Sequence, residues 1–198
     1  MMQPVFGSTH GRQISFMGPF GVGKTTAVRA VTQSEVVLTE ATSTAASIMG
    51  GKHLKPTTTV GLEYGEWTAP DGSLVAVVGT PGQARFDAVR RSALPRSTAV
   101  VLWIFGHHAE ALLDCELWVR FMLDEGVPVS KLAVAVTRLD DAATHGVDEF
   151  AQVVAEHADA DVPVLAVDPR SAEDVQQVLV ASLRGALEPA DDAVRTVS

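Results

Sequence analysis

A glycine-rich segment early in the chain has the residue types that bind phosphate groups. It reads GPFGVGKT over residues 18–25 and matches the pattern G-x-x-x-x-G-K-[ST] at every fixed position. Glycines are needed there because the backbone N–H groups turn inward and approach phosphate oxygens closely, where a Cβ would obstruct them. Lys24 would reach the β- and γ-phosphates of a nucleoside triphosphate, and the Thr25 hydroxyl would ligate Mg²⁺. We predict a nucleotide site that includes Gly18, Phe20, Gly21, Val22, Gly23, Lys24, Thr25 and Thr26.

The elements around this segment have the order that a phosphate loop requires. An apolar strand over 13–17 precedes it and a helix over 24–33 follows, so the partial positive charge of the helix N-terminus adds to the site. Residues 39–58, rich in Thr, Ser, Ala and Gly, favour a long surface loop. Further strands are predicted at 60–68, 74–78, 99–105, 132–136 and 162–167, and further helices at 84–92, 110–125, 147–157 and 171–187.

This alternation of short apolar strands and amphipathic helices predicts an α/β fold. Nearly all-apolar strands indicate a parallel sheet with both faces covered, whereas the Pro-Asp-Gly turn after 60–68 predicts an antiparallel hairpin. We expect the three-layer fold of P-loop NTPases: a mostly parallel six-stranded sheet with one antiparallel edge strand, and helices on both faces. The domain would span 12–187, between a flexible N-terminal segment 1–11 and a flexible acidic tail 188–198.

Composition excludes several classes of protein. The 198 residues suit one domain, and 15 Lys and Arg against 24 Asp and Glu leave a net charge of −9, without the basic excess that nucleic acid binding requires. The single cysteine, Cys115, rules out an internal disulfide, in agreement with a reducing compartment. The longest apolar run, 99–105, is too short for a membrane span, and neither an export signal nor a lipid-anchor motif is recognisable. We expect a cytoplasmic protein.

Two further segments carry a resemblance to a known family. Residues 55–65 read KPTTTVGLEYG and residues 79–86 read GTPGQARF. In order and spacing they resemble the first and second switches of Ras-like small GTPases, and the resemblance covers about residues 12–187. The details are most similar to bacterial members, the MglA-like and actinobacterial conservon-type (CvnD-like) GTPases. The resemblance implies a guanine-nucleotide switch that binds GTP or GDP with Mg²⁺.

The same resemblance assigns roles in GTP hydrolysis. Thr59, or alternatively Thr58, would join Thr25 as a ligand of Mg²⁺ when the γ-phosphate is present. Gly82 would donate its N–H to the γ-phosphate, and Gln83 would orient the attacking water. Together with Lys24, these two residues form the predicted catalytic set.

Recognition of the base is expected after the strand 132–136. Guanine presents two adjacent N–H donors that one carboxylate accepts, and Asp140 in Thr137-Arg138-Leu139-Asp140 is the candidate. The family has Asn or Thr, then Lys, any residue and Asp, so Arg138 is a departure whose guanidinium would stack on the base. A solvent-facing Asp140 without a ligand is the alternative. The segment Asp168-Pro169-Arg170 stands where the family has Ser-Ala-Lys, and proline has no N–H to donate; Ser171-Ala172 is a less well-placed substitute.

Two more departures concern catalysis. Gly79 replaces the Asp that ordinarily holds Mg²⁺ through water, and Phe20 stands where Ras proteins have a glycine beside the γ-phosphate. We therefore expect slow hydrolysis. Because the first switch contains no arginine, an activating partner is implied, and the resemblance suggests a Roadblock-type protein besides an effector. A catalytically weak pseudo-GTPase scaffold and a P-loop ATPase or kinase are the alternative functions.

Three other groups of residues have simpler interpretations. In the helix 110–125, an apolar stripe is expected to face the core: Leu113, Leu117, Trp118 and Phe121. His107 and His108 are interpreted as loop residues without a role, since no third metal ligand stands at a useful spacing. The arginines of the second-switch segment are either a solvated face or a partner-contact surface: Arg85, Arg90, Arg91 and Arg96.

Overall fold

The computed structural model describes residues 11–32, 37–42, 59–81, 93–139 and 144–187 of the chain. The strands of this part are β1 (Gln13–Met17), β2 (Val37–Thr42), β3 (Thr59–Thr68), β4 (Leu74–Gly79), β5 (Ala99–Phe105), β6 (Leu132–Thr137) and β7 (Val164–Ala166). The helices are α1 (Lys24–Val31), α2 (Ala111–Asp124), α3 (Val147–His157) and α4 (Ala172–Leu187), and two single 3₁₀ turns lie at Leu94–Arg96 and Val129–Lys131.

The strands form one sheet in the order β2-β3-β4-β1-β5-β6-β7. Strand β3 is antiparallel to both of its neighbours, β2 and β4. The other neighbouring pairs are parallel: β4 with β1, β1 with β5, β5 with β6, and β6 with β7. The central strands β1, β5 and β6 are almost wholly buried, which explains their nearly continuous apolar sequences. The phosphate loop lies between β1 and α1, at the carboxyl end of the central strand.

Helices cover both faces of the sheet, as the sequence predicts. On one face α1 and α4 pack through Val28, Val175 and Leu179 against Phe16 and Trp103 of the sheet. On the other face, α2 and α3 enclose a second cluster of buried side chains, among them Leu102, Ile104, Cys115, Met122 and Phe150. The three-layer α/β architecture is therefore confirmed. No helix within the described residues is long and apolar enough to cross a bilayer.

The sheet has one strand more than the six predicted. Residues Val37–Thr42 form β2, although most of them fall in or next to the predicted loop 39–58, and they pair antiparallel with β3 from Val37↔Tyr64 to Thr42↔Thr59. The antiparallel strand is consequently second from the edge and not at the edge. The prediction missed β2 because an edge strand takes its order from backbone pairing with one neighbour, which polar residues such as Thr39 and Glu40 provide as well as apolar ones.

Helix α2 buries a different stripe from the predicted one. The side chains that face the sheet are those of Ala111, Cys115, Val119 and Met122. The predicted Leu113 and Leu117 are 52% and 55% exposed, because they project roughly 200° around the helix from Cys115. Trp118 and Phe121 flank the buried row, half-buried and in edge contact with each other at 5.8 Å. Burial raises the pKa of the Cys115 thiol to about 12, so this cysteine is an unreactive core residue.

The predicted helix bounds agree with the structure to within two residues for α1 to α4. The predicted helix at 84–92 lies outside the described residues. The same is true of the two terminal segments, apart from Gly11.

Candidate functional site

Three glycines give the phosphate loop its shape. Gly18, Gly21 and Gly23 have φ values of 128°, 80° and 115°, in the left-handed region that L side chains rarely adopt. A Cβ on Gly18 would overlap the carbonyl oxygen of Trp103 in β5. A Cβ on Gly23 would lie 2.7 Å from Cγ of Pro169. Backbone conformation therefore favours glycine at all three positions, and close packing is a second, independent reason for glycine at 18 and 23.

Lys24 begins α1 and is held inside this loop. Its side chain is 7% exposed, and its Nζ donates hydrogen bonds to the carbonyl oxygens of Gly18 at 2.8 Å and Pro19 at 2.6 Å. Within the described structure, no side chain caps the N-terminus of α1, and its first turn contains no acidic residue. Because the first N–H groups of a helix have no partner within it, a buried ammonium beside them makes this end of the fold attractive to an anion.

Thr25 contacts an acidic residue that the sequence analysis did not single out. Its Oγ1 donates a 2.5 Å hydrogen bond to Oε1 of Glu63, in the middle of β3. A hydroxyl and a carboxylate are oxygen donors of the kind that Mg²⁺ binds, so the residues present fit this ion. Thr59, the other predicted ligand, is the first residue of β3. The antiparallel register places Glu63 opposite Gly79, where the resembling GTPases have an acidic residue. This pairing is the signal that would have identified Glu63 as a residue of the site.

A cavity of about 820 Å³ opens beside the loop, within the range of small-ligand sites. Seven predicted residues line it: Gly21, Val22, Gly23, Thr26, Arg138, Pro169 and Arg170. Six residues without a predicted role complete it: His107, Leu139, Ala166, Val167, Asp168 and Asp174. The loops that follow β1, β5, β6 and β7 thus meet at one edge of the sheet, as expected for parallel strands of an α/β protein.

Arg138, which follows β6, lines the cavity and also contacts the phosphate loop. It has φ 59°, and its guanidinium lies 4.9 Å from the ring centroid of Phe105 and donates to the carbonyl of Gly21 at 3.3 Å. The preceding Thr137 does not line the cavity, because its buried hydroxyl donates to the carbonyl of Ile104 at 3.3 Å. Asp140, the predicted guanine ligand, lies outside the described residues.

The loop after β7 is organised by its own hydrogen bonds. Arg170 contacts Asp168 through its guanidinium at 2.8 Å and through its backbone N–H at 2.9 Å, and these bonds lower the pKa of the Asp168 carboxyl. The Asp168 N–H donates to Asp174 at the start of α4, which also accepts a bond from Ser171. Pro169 packs on Gly23, so this loop touches the phosphate loop directly.

The remaining predicted residues have varied positions. Phe20 is 72% exposed at the outer side of the phosphate loop. His107 lines the cavity with its ring 5.5 Å from that of Phe105, whereas His108 pairs with Asp114 at 3.5 Å. The predicted residues Gly82 and Gln83, and the alternative ligand Thr58, lie outside the described part of the chain.

Comparison with known proteins supports the fold. No protein-family model and no curated protein matches the sequence. Among solved structures, the G domain of the FeoB iron transporter of T. maritima is similar, with a TM-score of 0.63 and 17% sequence identity. The similarity covers 88% of this chain and 98% of that domain. The chain therefore has the fold of a P-loop GTPase G domain, and at this identity the likeness is one of fold alone.

Proposed function

We propose that this protein is a guanine-nucleotide-dependent switch that binds GTP and GDP with Mg²⁺ and hydrolyses GTP slowly. The observation that supports it best is the continuity of the site. The phosphate loop with Lys24 opens directly into the cavity beside Arg138, so phosphates and base of one nucleotide have adjoining places. The similarity in fold to the G domain of FeoB supports the choice of GTPase among P-loop proteins.

At the phosphate end, the chain would supply positive charge from backbone N–H groups and from Lys24. The N–H groups of the loop and the α1 N-terminus would bind the phosphate oxygens, and Lys24 would exchange its bonds to Gly18 and Pro19 for bonds to the β- and γ-phosphates. Thr25 and Thr59 would hold Mg²⁺, which when bound neutralises charge that develops between the β- and γ-phosphates.

At the base end, two residues would share recognition of guanine. Arg138, stacked on Phe105, would present the flat face of its guanidinium to the base. Asp140 would accept both N–H donors of guanine, which adenine lacks. This arrangement would discriminate GTP from ATP through one carboxylate.

Hydrolysis would depend on residues of the second switch. Gln83 would orient the attacking water and Gly82 would donate its N–H to the γ-phosphate. Phe20 is exposed on the phosphate loop, and Gly79 brings no carboxylate, so the intrinsic rate would be low. An activating protein of the Roadblock type and an effector would complete the switch in the cytoplasm, in a role like that of MglA-like and conservon-type GTPases.

Displacement of a fluorescent GDP analogue from nucleotide-stripped protein tests the proposal. We expect GDP and GTP to compete at micromolar concentration or tighter in the presence of Mg²⁺, and ATP to fail. Asp140→Asn should weaken GDP and GTP binding and leave ATP binding unchanged. Equal competition by ATP, or no binding of any nucleotide, would contradict the assignment to guanine.

A nucleotide-binding scaffold without catalysis is the second candidate, and Gly79 at the end of β4 favours it. Single-turnover hydrolysis of GTP by the wild type and by Gln83→Leu separates the two. We expect the wild type to exceed the uncatalysed rate and the variant to lose that excess. Two rates equal to the uncatalysed one would favour the scaffold.

A further inference from the structure

We propose that Glu63 replaces the acidic residue that is missing at position 79 and thereby sets the affinity of the site for Mg²⁺. This inference rests on the proposed function, because it concerns the ion that accompanies the nucleotide. Glu63 is a positioning residue that acts through Thr25. It comes from β3, whereas the ordinary acid of a second switch would come from the end of β4.

The first support is the direction of the hydrogen bond between these side chains. The Thr25 hydroxyl donates to the Glu63 carboxylate at 2.5 Å, since an ionised carboxylate has no proton to give. A hydroxyl that donates its proton in one direction keeps its oxygen lone pairs for a cation on another side. Glu63 therefore holds Thr25 in the orientation in which it can ligate Mg²⁺, as carboxylates that accept a hydrogen bond from a metal ligand do at other metal sites.

The second support is the way in which Glu63 occupies the space beside Gly79. The two residues are register partners across β3 and β4. A Cβ built on Gly79 would lie 3.0 Å from Oε2 and 3.3 Å from Cβ of Glu63. Gly79 does not have a positive φ, so its backbone accepts any residue and the crowding by Glu63 alone disfavours a side chain. A side chain at position 79 would thus compete for space with the side chain of Glu63.

The third support is charge. A threonine hydroxyl is neutral, and Mg²⁺ in nucleotide sites is usually held by one or two carboxylates besides the phosphates. Of the side chains described around Thr25, Glu63 is the one that brings a negative charge within hydrogen-bond distance. Without it, the ion would depend on the phosphates and on neutral ligands.

The test is the dependence of GDP release on Mg²⁺. We would load the full chain with fluorescent GDP and measure its release rate over a series of Mg²⁺ concentrations, for the wild type and for Glu63→Gln. The glutamine keeps an acceptor for Thr25 but removes the charge. We expect Glu63→Gln to need about 10–100 times more Mg²⁺ for the same retention of GDP, with release in excess chelator unchanged within about twofold.

Glu66→Gln is the matched control, because Glu66 lies on the same strand and bonds Tyr64 instead of Thr25. It should retain the wild-type dependence on Mg²⁺. The rescue variant is Glu63→Ala combined with Gly79→Asp, which removes the carboxylate from β3 and returns one to β4. We expect Glu63→Ala alone to lose the Mg²⁺ effect most strongly, and the double variant to regain at least part of it.

The outcomes separate this inference from the proposed function. If the wild type retains GDP in a Mg²⁺-dependent manner and Glu63→Gln does the same at equal Mg²⁺, the role of Glu63 is wrong while the nucleotide switch stands. If the wild type binds no guanine nucleotide, the proposed function fails and Glu63 loses its role with it. Thermal melting of each variant reports whether it folds, and the double variant provides the test even where Glu63→Gln is destabilised.

Discussion

The two ends of the cavity are built by different means. At the phosphate end the backbone forms the site: three glycines with positive φ shape the loop, and its carbonyls hold Lys24. At the opposite end side chains form it: Arg138 stacks on Phe105, and Arg170 bonds to Asp168. The phosphate end matches its sequence pattern at every fixed position, whereas the opposite end departs from the pattern at Arg138, Pro169 and Arg170.

The difference follows from what each end must recognise. A phosphate is approached by many N–H groups at once, so the conformation of the loop dictates the residue type at its fixed positions and leaves freedom only between them, as at Phe20. A flat base is recognised by stacking and by a few polar contacts, which several side chains can supply. Departures at the fixed positions of a motif are therefore expected more often at the end that side chains build. The two ends meet where Pro169 packs on Gly23 and where Arg138 donates a hydrogen bond to the carbonyl of Gly21.

Lys24→Ala should have the largest effect on binding. The lysine is buried, and each hydrogen bond to a charged group contributes about 1.5–3 kcal/mol, so two such bonds to phosphate correspond to a loss on the order of 100-fold or more in GTP affinity. GDP should lose less, because it lacks the γ-phosphate. Competition against fluorescent GDP measures both. Arg29→Ala, which removes an exposed cation from the last turn of the same helix, should change neither affinity. Equal losses for GDP and GTP would contradict the assigned reach of Lys24.

Gly23→Ala should be the most destabilising change, because it acts where the two ends touch. The alanine would adopt φ 115° and place its Cβ 2.7 Å and 2.9 Å from Cγ and Cβ of Pro169. Strain and overpacking together cost about 2–4 kcal/mol, or roughly 5–15 °C in melting temperature. Gly126→Ala is the control, because Gly126 also has a positive φ, 76°, but its Cβ would meet nothing within 4 Å. If the two variants melt at the same temperature, Pro169 is not a constraint on the phosphate loop.

Arg138→Ala should weaken both nucleotides to a similar and smaller extent. Its guanidinium lies over Phe105, and a stacked cation contributes about 0.5–2 kcal/mol, or roughly 2–30-fold in affinity. Arg138→Lys returns the residue that resembling GTPases have and should stay within about threefold of the wild type. Titration calorimetry with GDP and GTP measures both variants. A loss for GTP that clearly exceeds the loss for GDP would mean that Arg138 acts on the phosphates.

The sequence predicted some parts of the fold and site better than others. The phosphate loop was predictable because its chemistry fixes both residue types and spacing, and the buried parallel strands were predictable from continuous apolar runs. The contact between Thr25 and Glu63 was not predictable from spacing in sequence, since it joins residues 38 positions apart through the packing of α1 on β3. The sequence analysis likewise assigned no role to His107, and the structure shows that this residue lines the cavity.

Two elements show why local patterns were insufficient. Strand β2 depends on pairing with β3, which no local pattern of its own residues reveals. In α2 the largest apolar residues suggested the wrong face, because the sheet accommodates the row of Ala111, Cys115 and Val119, while Leu113 and Leu117 remain exposed. Close packing of a helix on a sheet favours side chains that fit the available space, and this is a property of both partners.

Arg170→Ala should have the smallest effect, which would sharpen the contrast with Lys24. The side chains of Arg170 and Asp168 are 81% and 41% exposed, and solvent screens an exposed ion pair, so GDP affinity should change by less than about threefold. The hydrogen bonds from Arg170 lower the pKa of the Asp168 carboxyl below its ordinary 3.8. A lowered pKa in the folded state means that the stabilisation is complete at neutral pH and is lost as the pH falls through that lowered value. In Arg170→Ala the carboxyl should titrate closer to 3.8, as NMR of the Asp168 side-chain carbon would measure. An unchanged titration would show that other groups lower the pKa of Asp168. A large loss of GDP affinity would show that the opposite end of the cavity tolerates substitution no better than the phosphate end.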